Sequence, residues 1–440
     1  MRWLSQRAGS LLLGLLAGGC REAARRPPDA IETVALPAPQ GVESAFEPHV
    51  AVDPNRPDRI VVAAQYGAGY NRGGRHIWIW TTGDGGTVWN GSDLPLPKAD
   101  AVLAADPVTA FDGVGRGLVA FLFADSAFHG GAAVSATGPN DLNFGPAEVV
   151  VRDRLAEGGG AVDKDWLAID RSRTSPLAGA VYFSWHYNRP LPDHSVESIL
   201  WLRSTRGRGW SEPVQVAPHF GGQLAIRSTG ALDAVFVGRD ERTLLHAESE
   251  AGGGRFTSPD TLATVSDSEA IDLPTVGMAR GDTLVVCWGE GPKSRSSGYR
   301  VRCVRRTDGG QRLGPATVDT AAATLGFPAV AITPEAIWVL AYQSDTAATA
   351  VRLYRSSDGA RTFARQAVLA TRAFGIDRFC PAAVAPCRRT LDPAMTFFPG
   401  DYVGLSAAPD RVVATFTLPE QDTPGDRSTV YVSVVPANAP

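Results

Sequence analysis

Carboxylates recur in this 440-residue chain at one kind of place, the start of a short apolar stretch that alternates as a β-strand does. The copies run Glu47-Pro48-His49-Val50-Ala51-Val52-Asp53, Asp106-Pro107-Val108-Thr109-Ala110-Phe111-Asp112 and Asp163-Lys164-Asp165-Trp166-Leu167-Ala168-Ile169. Further copies are the weaker Gln223-Leu224-Ala225-Ile226, then Leu273-Pro274-Thr275-Val276 behind Asp272, Phe327-Pro328-Ala329-Val330, and Gly400-Asp401-Tyr402-Val403-Gly404-Leu405. Brought together in space, these acids would resist ionising together, and a carboxyl so held protonated is a general acid for glycoside hydrolysis. The same oxygens could hold a hard cation such as calcium. The third use is structural, since an Asp ahead of a strand bonds neighbouring backbone N–H groups and fixes a turn. Tyr402 beside Asp401 is the candidate nucleophile by residue type.

Other chemistries lack their signatures. The chain has no H-E-x-x-H, no P-loop, no G-x-S-x-G and no dinucleotide-binding fingerprint. His186 and His194 flank a Pro-containing loop and read as solvated or turn-bonded imidazoles. No C-x-x-C pair occurs and no His-rich partner sits near a cysteine, so zinc is not expected. No organic cofactor is implied.

The elements that would position these residues are short strands. The seven openings lie roughly 50 to 75 residues apart, the spacing of a repeated four-stranded unit with loop insertions. A second apolar strand follows most of them, as in Ile60–Ala64, Leu118–Phe123, Ala231–Val237, Thr283–Trp288, Ile337–Tyr342 and Arg411–Phe416. A third strand then leads into a Gly-rich turn. The clearest turn is Ser356-Ser357-Asp358-Gly359-Ala360-Arg361-Thr362-Phe363, with a close second copy in Thr82-Gly83-Asp84-Gly85-Gly86-Thr87-Val88-Trp89. After Thr429–Val435 the last unit is one strand short, and Ile31–Leu36 could supply it and close the ring, removing an aggregation-prone edge. Helix content should be low. Trp78, Trp80, Trp166, Trp185, Trp288 and Trp338 fall within strands, where packing is their default role.

Both octapeptides match the Asp-box, S-x-D-x-[GA]-x-T-[FW], and the chain resembles bacterial sialidase-like proteins of the BNR/Asp-box superfamily over nearly all of residues 46–435. The resemblance implies an all-β propeller, read here as seven four-stranded blades with six as the alternative. In it Asp84 and Asp358 bond the box turn while Trp89 and Phe363 pack beneath it. It also implies the wiring. Residues leading into each innermost strand, and loops joining second to third strands, converge on one face. That makes Asp106, Asp163, Asp272, Asp401 and Tyr402 the candidate catalytic set, with Arg239 the clamp candidate by position. Sialidases of this family hold the substrate carboxylate with three Arg, use a Tyr activated by Glu as nucleophile, and an Asp as acid/base. Their first Arg lies in an Arg-Ile-Pro phrase. This chain reads Ala45-Phe46-Glu47-Pro48-His49 there, so the clamp lacks its most recognisable member. The abundance of Arg in the loops carries no signal, because all but three of the 42 basic residues are Arg.

The bulk properties fit an exported protein. A net charge of −4 gives no basic field for nucleic acid. Arg2 and Arg7 precede the apolar run Leu11–Leu16, and Ala17-Gly18-Gly19-Cys20 resembles a bacterial lipobox, too short a run to span a membrane. Residues 1–20 are read as a lipoprotein-type signal peptide with Cys20 the lipidated residue, 21–40 as a tether with the closing strand, and 41–440 as one propeller domain. Export makes Cys287 with Cys303, and Cys380 with Cys387, disulfide candidates. The expected protein is a monomer anchored to the cell envelope by lipid alone, at the outer membrane where two membranes exist. The expected function is hydrolysis of extracytoplasmic glycans or glycoconjugates, of exo-α-sialidase-like type; the alternative is a non-catalytic propeller that binds a glycan or an envelope protein.

Overall fold

The computed structural model describes residues 31–40, 44–67, 76–97, 101–127, 129–153, 160–191, 196–207, 209–293, 298–344, 348–372, 399–420 and 427–438. Cys20, Cys380 and Cys387 lie outside them. Every described element is a strand, and the strands form seven antiparallel sheets.

The first described strand is β1 (Glu32–Ala35). Blade 1 follows as β2 (Ser44–Val52), β3 (Ile60–Gly67), β4 (His76–Thr82) and β5 (Asn90–Asp93). Blade 2 is β6 (Ala101–Phe111), β7 (Gly117–Asp125), β8 (Gly130–Ala136) and β9 (Glu148–Arg152). Blade 3 is β10 (Ala161–Ile169), β11 (Val181–Pro190), β12 (Val196–Thr205) and β13 (Val214–Ala217). Blade 4 is β14 (Phe220–Ile226), β15 (Leu232–Val237), β16 (Thr243–Glu248) and β17 (Asp260–Thr264). Blade 5 splits its innermost strand into β18 (Glu269–Ile271) and β19 (Thr275–Ala279), then runs β20 (Thr283–Pro292), β21 (Arg300–Arg306) and β22 (Arg312–Thr317). The split falls at Asp272-Leu273-Pro274, where Pro has no N–H to give the ladder. Blade 6 is β23 (Thr324–Ile332), β24 (Ile337–Ser344), β25 (Thr349–Ser356) and β26 (Ala364–Arg372). Blade 7 is β27 (Gly404–Ala408), β28 (Arg411–Pro419) and β29 (Ser428–Pro436), with β1 as its outermost strand.

Why the chain folds this way is visible in its periodicity. The second strand of a blade packs against neighbours on both faces, so β3, β7, β15 and β24 are near-continuous apolar runs, buried almost throughout. Outermost strands face water, and β5 (Asn-Gly-Ser-Asp) is exposed along its length. Innermost strands crowd the axis and carry small residues there, among them Ala51, Ala110, Ala168 and Gly277. An apolar cluster fills each of the seven junctions between blades. At the closing junction Val50, Val62 and Trp80 of blade 1 meet Val413, Val430 and Val432 of blade 7. Trp80, Trp185, Trp288 and Trp338 are fully buried in this packing.

The two octapeptides form the β4–β5 and β25–β26 turns. Asp358 Oδ1 accepts from the backbone N–H groups of Arg361 and Thr362 at 3.0 Å each, and Asp84 Oδ1 accepts from Thr87 and Val88 at 2.9 and 3.0 Å. Trp89 and Phe363 pack on the neighbouring apolar clusters. Cys287 and Cys303 face each other across β20 and β21 and are joined by a disulfide.

Ring closure depends on β1. It pairs with β29 from Glu32↔Val434 to Ala35↔Tyr431, Leu36 is buried, and the Pro37 carbonyl accepts from Trp80 Nε1 at 2.9 Å. A chain beginning at Ala38 is expected to melt at least about 5 °C lower and to self-associate through the exposed β29 edge. Thermal denaturation and light scattering check this; a melting point unchanged within about 1 °C, with no association, contradicts it.

Candidate functional site

Five of the seven innermost strands carry a residue in left-handed conformation, Glu47, Asp106, Lys164, Gly221 and Phe327, and Gly400 takes it just ahead of a sixth, β27. Five of them sit within a register shift of the innermost pair, Glu47 in β2, Asp106 in β6, Lys164 in β10, Gly221 in β14 and Phe327 in β23, so each belongs to a β-bulge. For Glu47 (φ 51°), Asp106 (φ 54°) and Lys164 (φ 46°) that conformation costs about 1 kcal/mol or more each. Bulges of this kind re-aim side chains, and here they turn charged groups from successive blades toward one point.

That point lies at one end of a central cavity of about 690 Å³ that runs along the innermost strands. Glu47 of blade 1, Asp106 of blade 2, Asp163 and Asp165 of blade 3, and Asp401 of blade 7 surround the Lys164 ammonium. Lys164 Nζ reaches Asp106 at 3.4 Å, pairs more closely with Asp401, and lies 5.6 Å from the centre of the Tyr402 ring. Burial alone would lower the Lys164 pKa, but the carboxylates of Asp106, Asp401, Glu47 and Asp163 outweigh it and raise it well above the ordinary value. The first and last blades are tied at the same place. Glu47 N–H donates to the Pro399 carbonyl at 2.9 Å, and Asp401 N–H to Glu47 Oε1 at 3.1 Å. Only glycine fits at 400, where a Cβ would lie 2.1 Å from Glu47 Cγ.

One ammonium does not balance five carboxyls, so some hold protons. Glu47, 5% exposed, is pushed well above the carboxylate range, first by burial and then by the charges of Asp106 and Asp401, and a hydrogen bond to Asp106 acts in the same direction. Asp165, 4% exposed, is likewise raised well above its usual value by burial and by Asp106; it lines the cavity, and neither of its buried oxygens finds a partner on another residue. Asp163 accepts from Lys164 N–H at 2.9 Å and Asn188 Nδ2 at 2.6 Å, and burial pushes it up to about 6.

Two rings complete this end. His49 Nδ1 accepts from the Thr109 backbone N–H at 3.0 Å, which leaves the proton on Nε2. Burial lowers the His49 pKa to about 4, so the imidazole is neutral, and it stands edge-on to Trp166 at 5.2 Å and to Tyr402 at 6.1 Å. The Tyr402 hydroxyl donates to the Pro107 carbonyl at 3.2 Å. Burial, followed by the charges of Glu47, Asp106, Asp165 and Asp401, raises the phenol well above 10. Carboxylates here hold the phenol protonated, the opposite of what a tyrosine nucleophile needs.

The structure thus brings Asp106, Asp163, Asp401 and Tyr402 together. Asp272 lines the same cavity from blade 5, its Oδ1 accepting from Leu273 N–H at 2.9 Å. Arg239 lies elsewhere. It occupies the β15–β16 turn, its side chain is 57% exposed, and its guanidinium pairs with Glu197 at 3.0 Å, a carboxylate that Arg189 also holds. It does not line the cavity, because the acid of the adjacent blade captures it on the outer rim. His194 lies outside the described residues. Sequence reasoning missed Lys164 and His49 as site residues. The available signal was the phrase Asp163-Lys164-Asp165, which places one of only three lysines in an Arg-rich chain between two acids.

No protein-family model matches the chain, and no curated protein matches it. Solved structures do. A Dyadobacter fermentans protein of unknown function aligns over 93% of this chain and 99% of its own, at TM-score 0.51 and 12% identity. An ulvan lyase aligns over 90% and 95%, at 0.53 and 11%. The phage phi92 endosialidase aligns over 93% and 69%, at 0.50 and 9%. At such identities the likeness shows the fold, a sialidase-like β-propeller.

Asp163 gives the site a pH signature. Its folded pKa is raised from 3.8 to about 6, so the stability it contributes is full below the unfolded value and is lost as pH rises through about 6. Urea unfolding at pH 4, 5, 6 and 7 should show Asp163→Asn gaining on the wild type across that window, at no more than about 1.4 kcal/mol per pH unit. Parallel curves would show that Asp163 does not titrate there.

Proposed function

We propose that this chain is an exported glycan-acting propeller, a glycoside hydrolase whose acid is Asp165 and whose supporting carboxylate is Asp401. The observation that carries the reading is a buried carboxyl raised well above its usual range at the same end of the cavity as a second one paired with an ammonium. Asp165 is raised well above the carboxylate range with no partner on another residue, while Asp401 is held by the Lys164 ammonium. Environments that push neighbouring carboxyls apart in this way are how acid and base roles are divided in glycoside hydrolysis. Asp165 would give its proton to the glycosidic oxygen as that bond breaks, and Asp401 would face the positive charge developing on the sugar ring. Lys164 pairs with Asp401, and the burial that raises Asp165 excludes competing water. Two of the similar solved structures support a glycan as the substrate, one an ulvan lyase bound to GlcA(1-4)Rha3S and one an endosialidase.

The chemistry proposed departs from that of sialidases. Tyr402 is held as a phenol, Arg239 is committed to Glu197, and the Arg-Ile-Pro phrase is absent. Export with a lipid on Cys20 remains part of the proposal, on the strength of the first twenty residues.

The test is hydrolysis of a panel of fluorogenic neutral, amino and sialyl glycosides by purified residues 21–440. Turnover of a glycoside without a carboxylate is expected, and Asp165→Asn should lower kcat by about 10²-fold or more while the melting point holds. In cells the full chain should fractionate with membranes and Cys20→Ala should release it. A folded protein that cleaves no member of the panel leaves the non-catalytic binding propeller as the reading.

A further inference from the structure

We infer that the channel wall one bulge further along the inner strands is a donor-lined subsite, which takes the carbonyl oxygen of an acylamino sugar. The inference rests on the glycan-acting reading and names the group that the channel recognises. Its residues are placed by the bulges. His49 of β2, Trp166 of β10 and Gln223 of β14 are each the first residue to resume pairing after the register shift. Thr275 opens β19 after the break in blade 5, so the four stand in one layer of the cavity wall. Blades 1 and 3 do not adjoin, yet the His49 and Trp166 rings meet edge-on at 5.2 Å, which places both on the axis side of blade 2.

The fold has used the acceptors of this layer and left its donors. An innermost strand has no ladder partner on the axis side, and side chains of the preceding blade satisfy some of its orphan N–H groups. His49 Nδ1 accepts from Thr109 N–H of blade 2 at 3.0 Å, and Gln223 Oε1 from Val276 N–H of blade 5 at 3.1 Å. Thr275 Oγ1 accepts from Val330 N–H of blade 6 at 3.3 Å. Those bonds set the His49 tautomer and the sense of the Gln223 amide, so an Nε2–H on the one and an NH₂ on the other remain to donate. His49 Nε2, the Gln223 amide nitrogen and Trp166 Nε1 bond no other residue and are not shielded from solvent. All three side chains are partly exposed and line the cavity, so these N–H groups open onto it.

Uncharged N–H donors whose neighbouring acceptors are taken call for a group that only accepts. A sugar hydroxyl in this layer would bond one donor and leave its own proton without an acceptor there, the costly half of a buried polar contact. A carboxylate or sulfate accepts, but it would stand one bulge from the acids of blades 1, 2, 3 and 7. The ammonium at that end, Lys164, is already paired with Asp106 and Asp401. An amide carbonyl accepts at both lone pairs and carries no charge. The methyl of an acetamido group also has a place, because the layer continues as Ala329 of blade 6, with Leu273 and Pro328 also lining the cavity. Binding of this kind moves no proton.

The experiment is ligand-observed NMR titration of residues 21–440 with monosaccharides, which have no glycosidic bond to cleave: N-acetylglucosamine, N-acetylgalactosamine, glucosamine and glucose. At pH 7 at least one N-acetyl sugar should bind about fivefold or more tighter than glucose and glucosamine, with saturation transfer strongest at the acetyl methyl. Trp166→Phe keeps the ring and removes its N–H. Gln223→Glu keeps the oxygen that Val276 uses and removes the NH₂. Each should cut the preference about threefold or more. The wild-type order stands as a test even if a variant folds poorly. Equal affinities, preference for glucose or glucosamine, absence of binding, or folded variants with the preference intact would overturn the inference. Hydrolysis of neutral glycosides without an N-acetyl preference would leave the hydrolase reading intact, and the preference without hydrolysis would do the converse.

Discussion

An ammonium surrounded by carboxyls from four blades is the interaction on which the rest of this propeller depends. Taking such charges out of water costs several kcal/mol per ion, and only close geometry among opposite charges offsets it. The chain sets that geometry with backbone it would otherwise avoid, holding Glu47, Asp106 and Lys164 in left-handed conformations at the heads of adjacent inner strands. Lysine suits the place better than arginine, since a compact point charge can be shared by acids arriving from different directions while a planar fork commits to one. The same place is where the ring closes on the inside, through Glu47, Pro399 and Asp401, as β1 and β29 close it on the outside. Closure and electrostatics are one feature seen from two sides.

The polarity around the axis follows from which blades carry acids. Blades 7, 1, 2 and 3 are contiguous in the ring and present Asp401, Glu47, Asp106, Asp163 and Asp165; blades 4 to 6 contribute Gly221, Leu273 and Phe327, with Asp272 of blade 5 the acid on that side. Walls of small apolar side chains run down the channel from there, and low-dielectric walls focus the field of the acids along it. Protonation is therefore divided among the carboxyls by depth and by neighbour. Asp165, buried with no partner on another residue, is raised well above the carboxylate range, whereas Asp401 is tied to Lys164.

Much of the fold was legible because it is written locally. Alternation of apolar residues, recurrence of an acid or proline before each inner strand, and the two Asp-turn octapeptides each need only a few adjacent residues. The short last blade and its N-terminal strand were legible for the same reason, since a sheet with an open edge needs a partner. The site was half legible. Asp106, Asp163, Asp401 and Tyr402 follow from strand position alone. Lys164 and His49 do not, because their roles arise from a bulge that reverses one residue and from partners more than fifty positions away in blades 1, 2 and 7. Arg239 shows the converse limit. Its loop position was right, yet the acid it meets, Glu197, belongs to the neighbouring blade, and sequence order does not say which cross-blade pair forms. The protonation of Tyr402 depends on that same three-dimensional count of charges.

The most direct measurement is the urea unfolding free energy of Lys164→Met against the wild type at pH 7 and at pH 4. If the ammonium balances the buried acids, its removal costs about 3 kcal/mol or more at pH 7 and less at pH 4, where the acids can take up protons. A loss under about 1 kcal/mol at pH 7, or one that does not change with pH, would contradict the account.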